Sequence, residues 1–500
     1  MWVLDNLEKL KNSDKSAIIH REKEITFKEL WERSERVANY ILNTCKTKSP
    51  ILIYGNKEID IITVMIACLK TGRAYSPVDI TYPSERLYKI AKITNTELVF
   101  NFSNVELSGD FKILNKDEIN EICSEERKQE EISIDNWVKD EDTCYILFTS
   151  GSTGEPKGVQ ISRKNIECFA SYFKNECEIS GKRIVLNQPP YSFDLSVINP
   201  YVCLPVGMTL YNIDKDMIEN PKEMFEYFKK SNISIWISTP SFLNFCIMNE
   251  CFNKSMFPNL KKFIFNGEVL PKNLVKIIFE KFPDAVVINA YGPTEATVGI
   301  TSCVITKGML EDEKSLPVGK ISPNMSYKIV DESGNSVKEG QSGELIIIGD
   351  SVSSGYYKDL ERTEKSFFVN EEKKRCYKTG DLVFKSGDYF YFIARKDFQI
   401  KLNGFRIELD DIASNLNKTE FVNNSVVMPV YKDESISYLV AFVTLNKKTE
   451  ESDFKIGIKI KKELRDLVPS YMVPKKIKIL DSFPLNTNGK IDRKKLMEEI

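Results

Sequence analysis

Cys144-Tyr-Ile-Leu-Phe148 runs straight into Thr149-Ser150-Gly151-Ser152-Thr153-Gly154-Glu155-Pro156-Lys157-Gly158, and a helical pattern begins near Arg163. An apolar strand, a loop of Gly, Ser and Thr and then a lysine form an arrangement that cradles phosphate. Glycines let the backbone approach closely, amides and hydroxyls donate to oxygens, and the lysine adds a charge. The string is not a Walker A loop, which needs Ser or Thr directly after its lysine. Here Gly158 follows Lys157 and Pro156 precedes it. Stripped of its wording, the same stretch reads equally well as a flexible Gly/Ser linker, so its meaning depends on the rest of the chain.

On both sides of this loop the pattern is α/β. Ile51-Leu-Ile-Tyr54 reads as a strand, Ile61 to Lys70 as a helix and Tyr75-Ser-Pro-Val78 as the next strand. That rhythm predicts a largely parallel sheet flanked by helices. Residues 121–142 are dense in charge and read as a solvated connection, and the α/β rhythm resumes over 143–300. Over 316–394 the runs shorten, as in Glu344-Leu-Ile-Ile-Ile348 and Tyr389-Phe-Tyr-Phe-Ile393, with Gly, Asp and Ser turns between them. This predicts a small β-rich subdomain. Residues 398–500 mix helix and strand, with a helical run near Lys455–Leu467. The boundary falls near Arg395–Phe398, so the expected domains are 1–395 and 396–500.

Bulk properties narrow the chemistry. A chain of 500 residues exceeds one ordinary core. Hydrophobic residues at 42% and charged residues at 28% fit a globular protein. Seventy basic against 72 acidic side chains offer neither a nucleic-acid surface nor a polybasic membrane anchor. The N-terminus lacks the layout of a secretory signal. The longest uncharged stretches, Leu195–Ile213 and Ser231–Asn249, contain Ser, Asn, Thr and Pro and read as core rather than membrane span. Eleven scattered cysteines without a C-x-x-C pair fit reduced thiols in a cytoplasm, not a disulfide framework or zinc site. His20 is the one histidine, in a strand-and-turn context with no partner motif beside it, and reads as a surface or turn residue. Histidine triads and multi-histidine metal sites are thereby excluded. Chemistry here must run on lysines, carboxylates, backbone amides and metal.

Four further strings follow in order: Asn289-Ala290-Tyr291-Gly292-Pro293-Thr294-Glu295-Ala296-Thr297, Tyr377-Lys-Thr-Gly-Asp381, Phe392-Ile-Ala-Arg395-Lys-Asp397-Phe-Gln-Ile-Lys401 and Pro484-Leu-Asn-Thr-Asn-Gly-Lys490-Ile-Asp-Arg493. Alone, each has an ordinary reading, such as a proline-bent turn, a hairpin Asp or one lysine among many. Together with TSGSTGEPKG they resemble the signatures of the adenylate-forming superfamily, which includes acyl-CoA synthetases, luciferases and adenylation domains of nonribosomal peptide synthetases. The resemblance covers nearly the whole chain. It implies a large N-terminal domain of two α/β halves plus a small β subdomain, then a mobile C-terminal α/β lid, with the active site between them.

The resemblance also implies roles, with ATP and Mg2+ as cofactors. Thr149, Ser150, Gly151, Ser152, Thr153, Gly154 and Lys157 would hold phosphates. Glu268, Asn289, Ala290, Gly292 and Pro293 would line the nucleotide, with the Tyr291 ring against the purine. Thr294 would donate to the α-phosphate, and Glu295 would ligate Mg2+ directly or through water. Asp381 would chelate the ribose hydroxyls, Arg395 would reach the nucleotide and Asp397 would be the hinge pivot. Lys490 would be the mobile catalytic lysine, placing charge on the α-phosphate as a carboxylate attacks and pyrophosphate leaves. In one departure, Ala394 stands where relatives usually have Gly before the arginine, which stiffens that turn slightly.

Pro189-Pro-Tyr191-Ser-Phe-Asp194-Leu-Ser-Val197 resembles the start of the family's acid pocket. An Asp at the position of Asp194 pairs with a substrate ammonium in amino-acid-activating members. An Asp facing an apolar pocket is costly unless it meets a cation. The plain alternative is an N-cap or turn Asp. Many acyl-CoA synthetases have His where Tyr191 stands, which again favours an amino acid. Among amino-acid members the chain is most similar to D-alanine–carrier protein ligases as a group. Asn266, before Gly-Glu-Val-Leu-Pro, departs from the Cys typical there, and a buried Asn brings a donor and an acceptor that need partners. Asn266 and Val298 are the expected pocket residues. D-alanine leads, with glycine, serine, L-alanine and β-alanine as alternatives and an acyl- or aryl-CoA synthetase or a non-catalytic scaffold as rivals. No carrier signature follows Lys490. The expected acceptor is therefore a separate phosphopantetheinylated carrier protein, with coenzyme A as the alternative, and the expected state a monomer.

Overall fold

The computed structural model describes residues 2–125, 130–149, 155–181, 183–402, 404–432, 435–447, 451–484 and 491–498. Ser150, Gly151, Ser152, Thr153, Gly154 and Lys490 lie outside the described residues. The chain divides into two compact units, changing from the larger to the smaller between Lys396 and Asp397. Two pieces of the expected first domain, Thr81–Lys89 and the described residues of Thr149–Pro156, group with the smaller unit instead.

Two sheets organise the larger unit. The first has six strands in the order Lys112–Leu114, Leu98–Asn101, Ile51–Gly55, Tyr75–Asp79, Thr143–Thr149 and Lys157–Ser162. Ile51–Gly55 pairs in parallel with both neighbours and is buried along its whole length. Helices cover both faces of a parallel sheet, so its strands read as unbroken apolar runs. Helix Ile59–Lys70 is likewise buried throughout. Helix Phe27–Thr44 starts at a capping box in which Thr26 and Glu29 satisfy each other's backbone amides.

The second sheet has nine strands, ordered Lys320–Ile321, Thr301–Val304, Val286–Tyr291, Lys262–Phe265, Ile235–Ser238, Ile184–Asn187, Thr209–Asn212, Ser16–His20 and Lys23–Thr26. Its six inner strands, from Val286–Tyr291 to Ser16–His20, are parallel, and antiparallel strands finish both edges. A third, antiparallel sheet is built from Met325–Val330, Gly343–Gly349, Phe367–Val369, Arg375–Ser386 and Tyr389–Arg395. This is the small β subdomain.

Two expectations need correction. The charged stretch 121–142 is not simply a solvated connection. Its first residues end the helix Lys116–Ser124, and Ile132, Trp137 and Val138 are buried. Trp137 meets the edge of Trp31 with ring centres 6.3 Å apart, so one indole anchors an otherwise polar segment. His20 is also not a lone turn residue. It ends a strand, and its Nε2 lies 2.8 Å from Asp214 Oδ2, a carboxylate that Arg21 also grips.

The smaller unit holds the hairpin Gln399–Leu402 with Phe405–Glu408 and a three-stranded sheet of Val422–Lys432, Ser435–Leu445 and Lys476–Ile479. Helices Leu409–Leu416 and Asp453–Arg465 supply apolar side chains to its core. Asp411 lies inside it, 3% exposed, accepting a 2.9 Å hydrogen bond from Asn415. Burial pushes its carboxyl up to about 6, against the pull of Arg86 and Lys418. The fold thus holds this proton more tightly than the unfolded chain, and the associated stability is lost as pH rises from 3.8 to about 6. Asp411→Asn should remove that slope. Denaturant unfolding of variant and wild type at pH 4 and pH 8 checks this, the variant being more stable by roughly 1–3 kcal/mol at the higher pH only.

Candidate active site

Three parallel strands of the second sheet, two of them neighbours and the third separated from them by one strand, each hand the chain to a segment singled out in the sequence. After Ile184–Asn187 comes the turn leading to Asp194, after Lys262–Phe265 comes Asn266, and Val286–Tyr291 runs into Gly292–Thr297. Loops at the carboxyl ends of parallel strands are where α/β sheets collect their functional groups. Asp194 opens a single helical turn, Asp194–Val197, and Thr294 opens another, Thr294–Ala296. They meet: the Thr294 hydroxyl donates to Asp194 Oδ2 across 2.6 Å, with both residues buried. The candidate ammonium receptor and the candidate phosphate donor are therefore neighbours, although 100 residues separate them.

The β subdomain contributes a second cluster. Asp381 and Arg395 stand directly opposite each other on paired antiparallel strands, and Arg395 Nη1 donates to Asp381 Oδ1 across 2.6 Å. The Tyr291 hydroxyl donates to the other oxygen, Asp381 Oδ2. Burial pushes the Tyr291 phenol well above its usual range, with the neighbouring Asp381 carboxylate adding to the effect, so the phenol stays a donor. Three residues taken from three separate strings thus form one group.

A third cluster includes a residue with no sequence signal. Glu295 is fully buried, and its Oε1 accepts from the Tyr356 hydroxyl at 2.8 Å. Tyr356 forms a bridge with Val159, and Tyr357 donates its amide to the Gly158 carbonyl at 2.7 Å. This pairing carries Lys157 with it. Lys157 begins the strand Lys157–Ser162, and its Nζ lies 5.5 Å from the centre of the Tyr356 ring. Among the described residues no group of three or more His, Cys, Asp or Glu could hold a metal ion. A lone carboxylate still fits Mg2+, which completes its shell with phosphate oxygens and water.

Asn289, Glu268 and Asn266 are occupied with backbone. Asn289 donates to the Pro317 carbonyl at 2.8 Å, and Glu268 Oε2 accepts from the Ser241 amide at 2.9 Å. Asn266 is 2% exposed; its Nδ2 donates to the Val298 carbonyl at 2.8 Å and its Oδ1 accepts from the Gly267 amide at 2.6 Å. Those bonds brace a strained turn: Thr297 and Val298 are both β-branched, with φ of 57° and 68°. Each such residue costs about 1–3 kcal/mol and persists only where its surroundings hold it. The Thr297 hydroxyl helps by donating to the Ser351 carbonyl at 2.7 Å. Gly292 lies against the same turn, and a Cβ on it would sit 2.8 Å from the Val298 carbonyl oxygen. Gly267, at φ +93°, leaves room for the Phe193 ring, 2.9 Å from where its own Cβ would be. Asn266→Ala should destabilise the fold by about 1–3 kcal/mol, because a buried carbonyl loses its donor. Urea unfolding with an unchanged slope checks this.

Sequence and fold can now be set beside known proteins. The model of AMP-binding enzymes matches residues 8–357, and that of the AMP-binding enzyme C-terminal domain matches residues 411–490. The chain is 41% identical over 488 residues to a D-alanine–D-alanyl carrier protein ligase of Bacillus licheniformis, covering 97% of both chains. It is 39% identical over 504 residues to the ligase of the same name from Bacillus cytotoxicus, covering 100% of both. Among solved structures it superposes on a Vibrio cholerae adenylation domain in complex with glycyl-adenosine-5'-phosphate with a TM-score of 0.82, at 21% identity and covering 100% of this chain and 96% of that one. An amide bond synthetase from Marinactinospora thermotolerans gives 0.87 at 17% identity, covering 100% and 99%. No helix of the described residues is long and apolar enough to cross a membrane. With both of its parts matched, and full-length relatives at this identity, the chain belongs to the AMP-binding enzymes, the ATP-dependent adenylate-forming ligases.

Proposed function

We propose that the chain activates D-alanine as D-alanyl-AMP and transfers the D-alanyl group to the phosphopantetheine thiol of a separate carrier protein. The observation that carries this reading is the Thr294–Asp194 hydrogen bond. An amino acid bears its ammonium and its carboxylate on one carbon. A receptor for the first therefore has to lie beside the groups that bind the phosphate the second attacks. Asp194 takes the ammonium, Thr294 donates to the α-phosphate, and the bond between them sets that spacing before substrate arrives. The relatives about 40% identical along their whole length, named for D-alanine and a carrier protein, support the choice of acid and acceptor.

In this reaction a carboxylate oxygen of the amino acid attacks the α-phosphorus of ATP. The bond to the bridging oxygen breaks, and pyrophosphate leaves with its electrons. Tyr291, Asp381 and Arg395 hold the purine and ribose, Asn289, Ala290, Gly292, Pro293 and Glu268 shape the rest of that site, and Lys157 with Thr149–Gly154 holds the phosphates. Glu295 would hold Mg2+, which when bound supplies positive charge to the phosphate oxygens. Lys490 adds a cation at the α-phosphate, where charge builds up in the transition state. The carrier thiolate then attacks the acyl carbon and AMP departs. Asp397 is the pivot between the two half-reactions.

Asn266 departs from the cysteine typical of D-alanine ligases, but the donor and acceptor it adds are taken up by Val298 and Gly267. With Val298 it borders a pocket for a small apolar side chain. The rival reading, an acyl- or aryl-CoA synthetase, assigns Asp194 no part in binding the acid. The enzyme acts as a monomer in the cytoplasm, without nucleic acid or membrane insertion, a placement that its eleven free cysteines support.

ATP–pyrophosphate exchange tests the proposal with D- and L-alanine, glycine, serine, β-alanine and aryl acids. Exchange should be strongest with D-alanine and lost in Lys490→Ala. Asp194→Asn should raise the amino-acid KM roughly 100-fold, the scale on which a buried charge loses its partner. Exchange only with acids lacking an amine would sink the assignment.

A further inference from the structure

Lys57 follows the strand Ile51–Gly55 of the first sheet and is 1% exposed. Its Nζ donates to Asn187 Oδ1 at 3.0 Å and lies 3.7 Å from the centre of the Tyr191 ring. Asn187 ends a strand of the second sheet. Its Nδ2 donates to the Tyr191 hydroxyl at 2.9 Å and to Asn212 Oδ1 at 2.8 Å. Asn212 Nδ2 returns to the Lys57 carbonyl at 2.8 Å, and Asn199 Nδ2 adds a second donor to Asn187 Oδ1 at 2.8 Å. The circuit starts and ends on Lys57 and joins the two sheets where their strands finish. Burial pushes the Lys57 ammonium well below its usual range, and Asp79, buried beside Asn56, is the carboxylate whose field opposes that and favours the charged form.

A cation buried this deeply is expensive, and an apolar side chain of the same length would fill the space without that cost. What an apolar side chain could not do is hold the face of Tyr191 electrostatically. Tyr191 lies three residues before Asp194 in one compact turn. Within it Phe193 donates its amide to the Pro190 carbonyl at 2.9 Å, and Ser196 donates to the carbonyls of Phe193 at 3.0 Å and Tyr191 at 3.4 Å. The tethers of this turn to the rest of the unit include Tyr191 at one end and the Asp194–Thr294 bond at the other.

We propose that Lys57 is a positioning residue for amino-acid recognition: held between Asn187 and the Tyr191 ring, its ammonium fixes the turn that presents Asp194 to the substrate. The inference rests on the proposed reading of Asp194 as the ammonium receptor. It also gives a partner to the tyrosine that stands where many acyl-CoA synthetases have histidine.

The test uses the full chain in ATP–pyrophosphate exchange, with KM for amino acid and for ATP, kcat and Tm measured for Lys57→Met, Tyr191→Leu, Tyr191→Phe and the double variant Lys57→Met/Tyr191→Leu. Lys57→Met should raise the amino-acid KM about tenfold or more while the ATP KM moves less than about twofold, as expected for a desolvated cation–ring contact. Tyr191→Leu should do the same, Tyr191→Phe should do less because it keeps the ring, and the double variant should be no worse than the more affected single one. If Lys57→Met fails to fold, the two Tyr191 variants carry the comparison. Equal effects on both KM values, or a lowered Tm with the amino-acid KM unchanged, would reduce Lys57 to a structural residue and overturn the inference. Wild-type exchange confined to acids lacking an amine would remove the reading beneath it, an outcome visible before any variant is made.

Discussion

Three buried carboxylates of the candidate site need partners, and the site is arranged around how they get them. Asp194 accepts from the Thr294 hydroxyl, Glu295 from the Tyr356 hydroxyl and Asp381 from the Tyr291 hydroxyl. A hydroxyl orients a carboxylate without cancelling its charge. Asp381 also receives a guanidinium, from Arg395, and the task proposed for it is to accept from neutral hydroxyls.

The backbone around these carboxylates is set by strain and by side chains that serve it. Thr297 and Val298 hold left-handed conformations that β-branched residues avoid. Asn266, Ser351 and the close approach of Gly292 brace them. The turn follows directly after Thr294 and Glu295, so loosening it would displace both. Strain of this kind is tolerated where a precise position is worth its cost. The asparagine layer of Asn187, Asn199 and Asn212, with Lys57 at its centre, is proposed to play the corresponding part for the Asp194 turn.

Much of this was legible in the sequence because the signals are local. The parallel strands announced themselves as short apolar runs, the β subdomain as runs broken by Gly, Asp and Ser, and the helices Arg163–Glu176 and Asp453–Arg465 as periodic patterns close to their observed positions. The strings around Asp194, Thr294, Glu295, Asp381 and Arg395 hold residues that the fold brings into hydrogen-bonded clusters. Misreadings arose where a single long-range contact outweighed composition. Trp137 buries part of a charged segment by meeting Trp31, and Asp214 draws His20 into a network from almost 200 residues away. Tyr356 left no trace, because a tyrosine in a Gly-Tyr-Tyr turn looks like any other until the strand beginning at Lys157 pairs with it.

The sequence by itself determined the α/β class, the family and the residue types available for chemistry: one histidine, no metal cluster by spacing, and lysines and carboxylates in ordered strings. Those are properties of short stretches, and short stretches are what local propensity and wording encode. Only the tertiary structure decided which of these residues are neighbours. Asp194 bonds Thr294, Tyr291 and Arg395 share Asp381, and Asn266 turns its amide to Val298 instead of displaying it. Such pairings depend on the order in which strands enter the sheets and on where those strands end, and a hydrogen bond across 100 residues has no counterpart in any window of sequence.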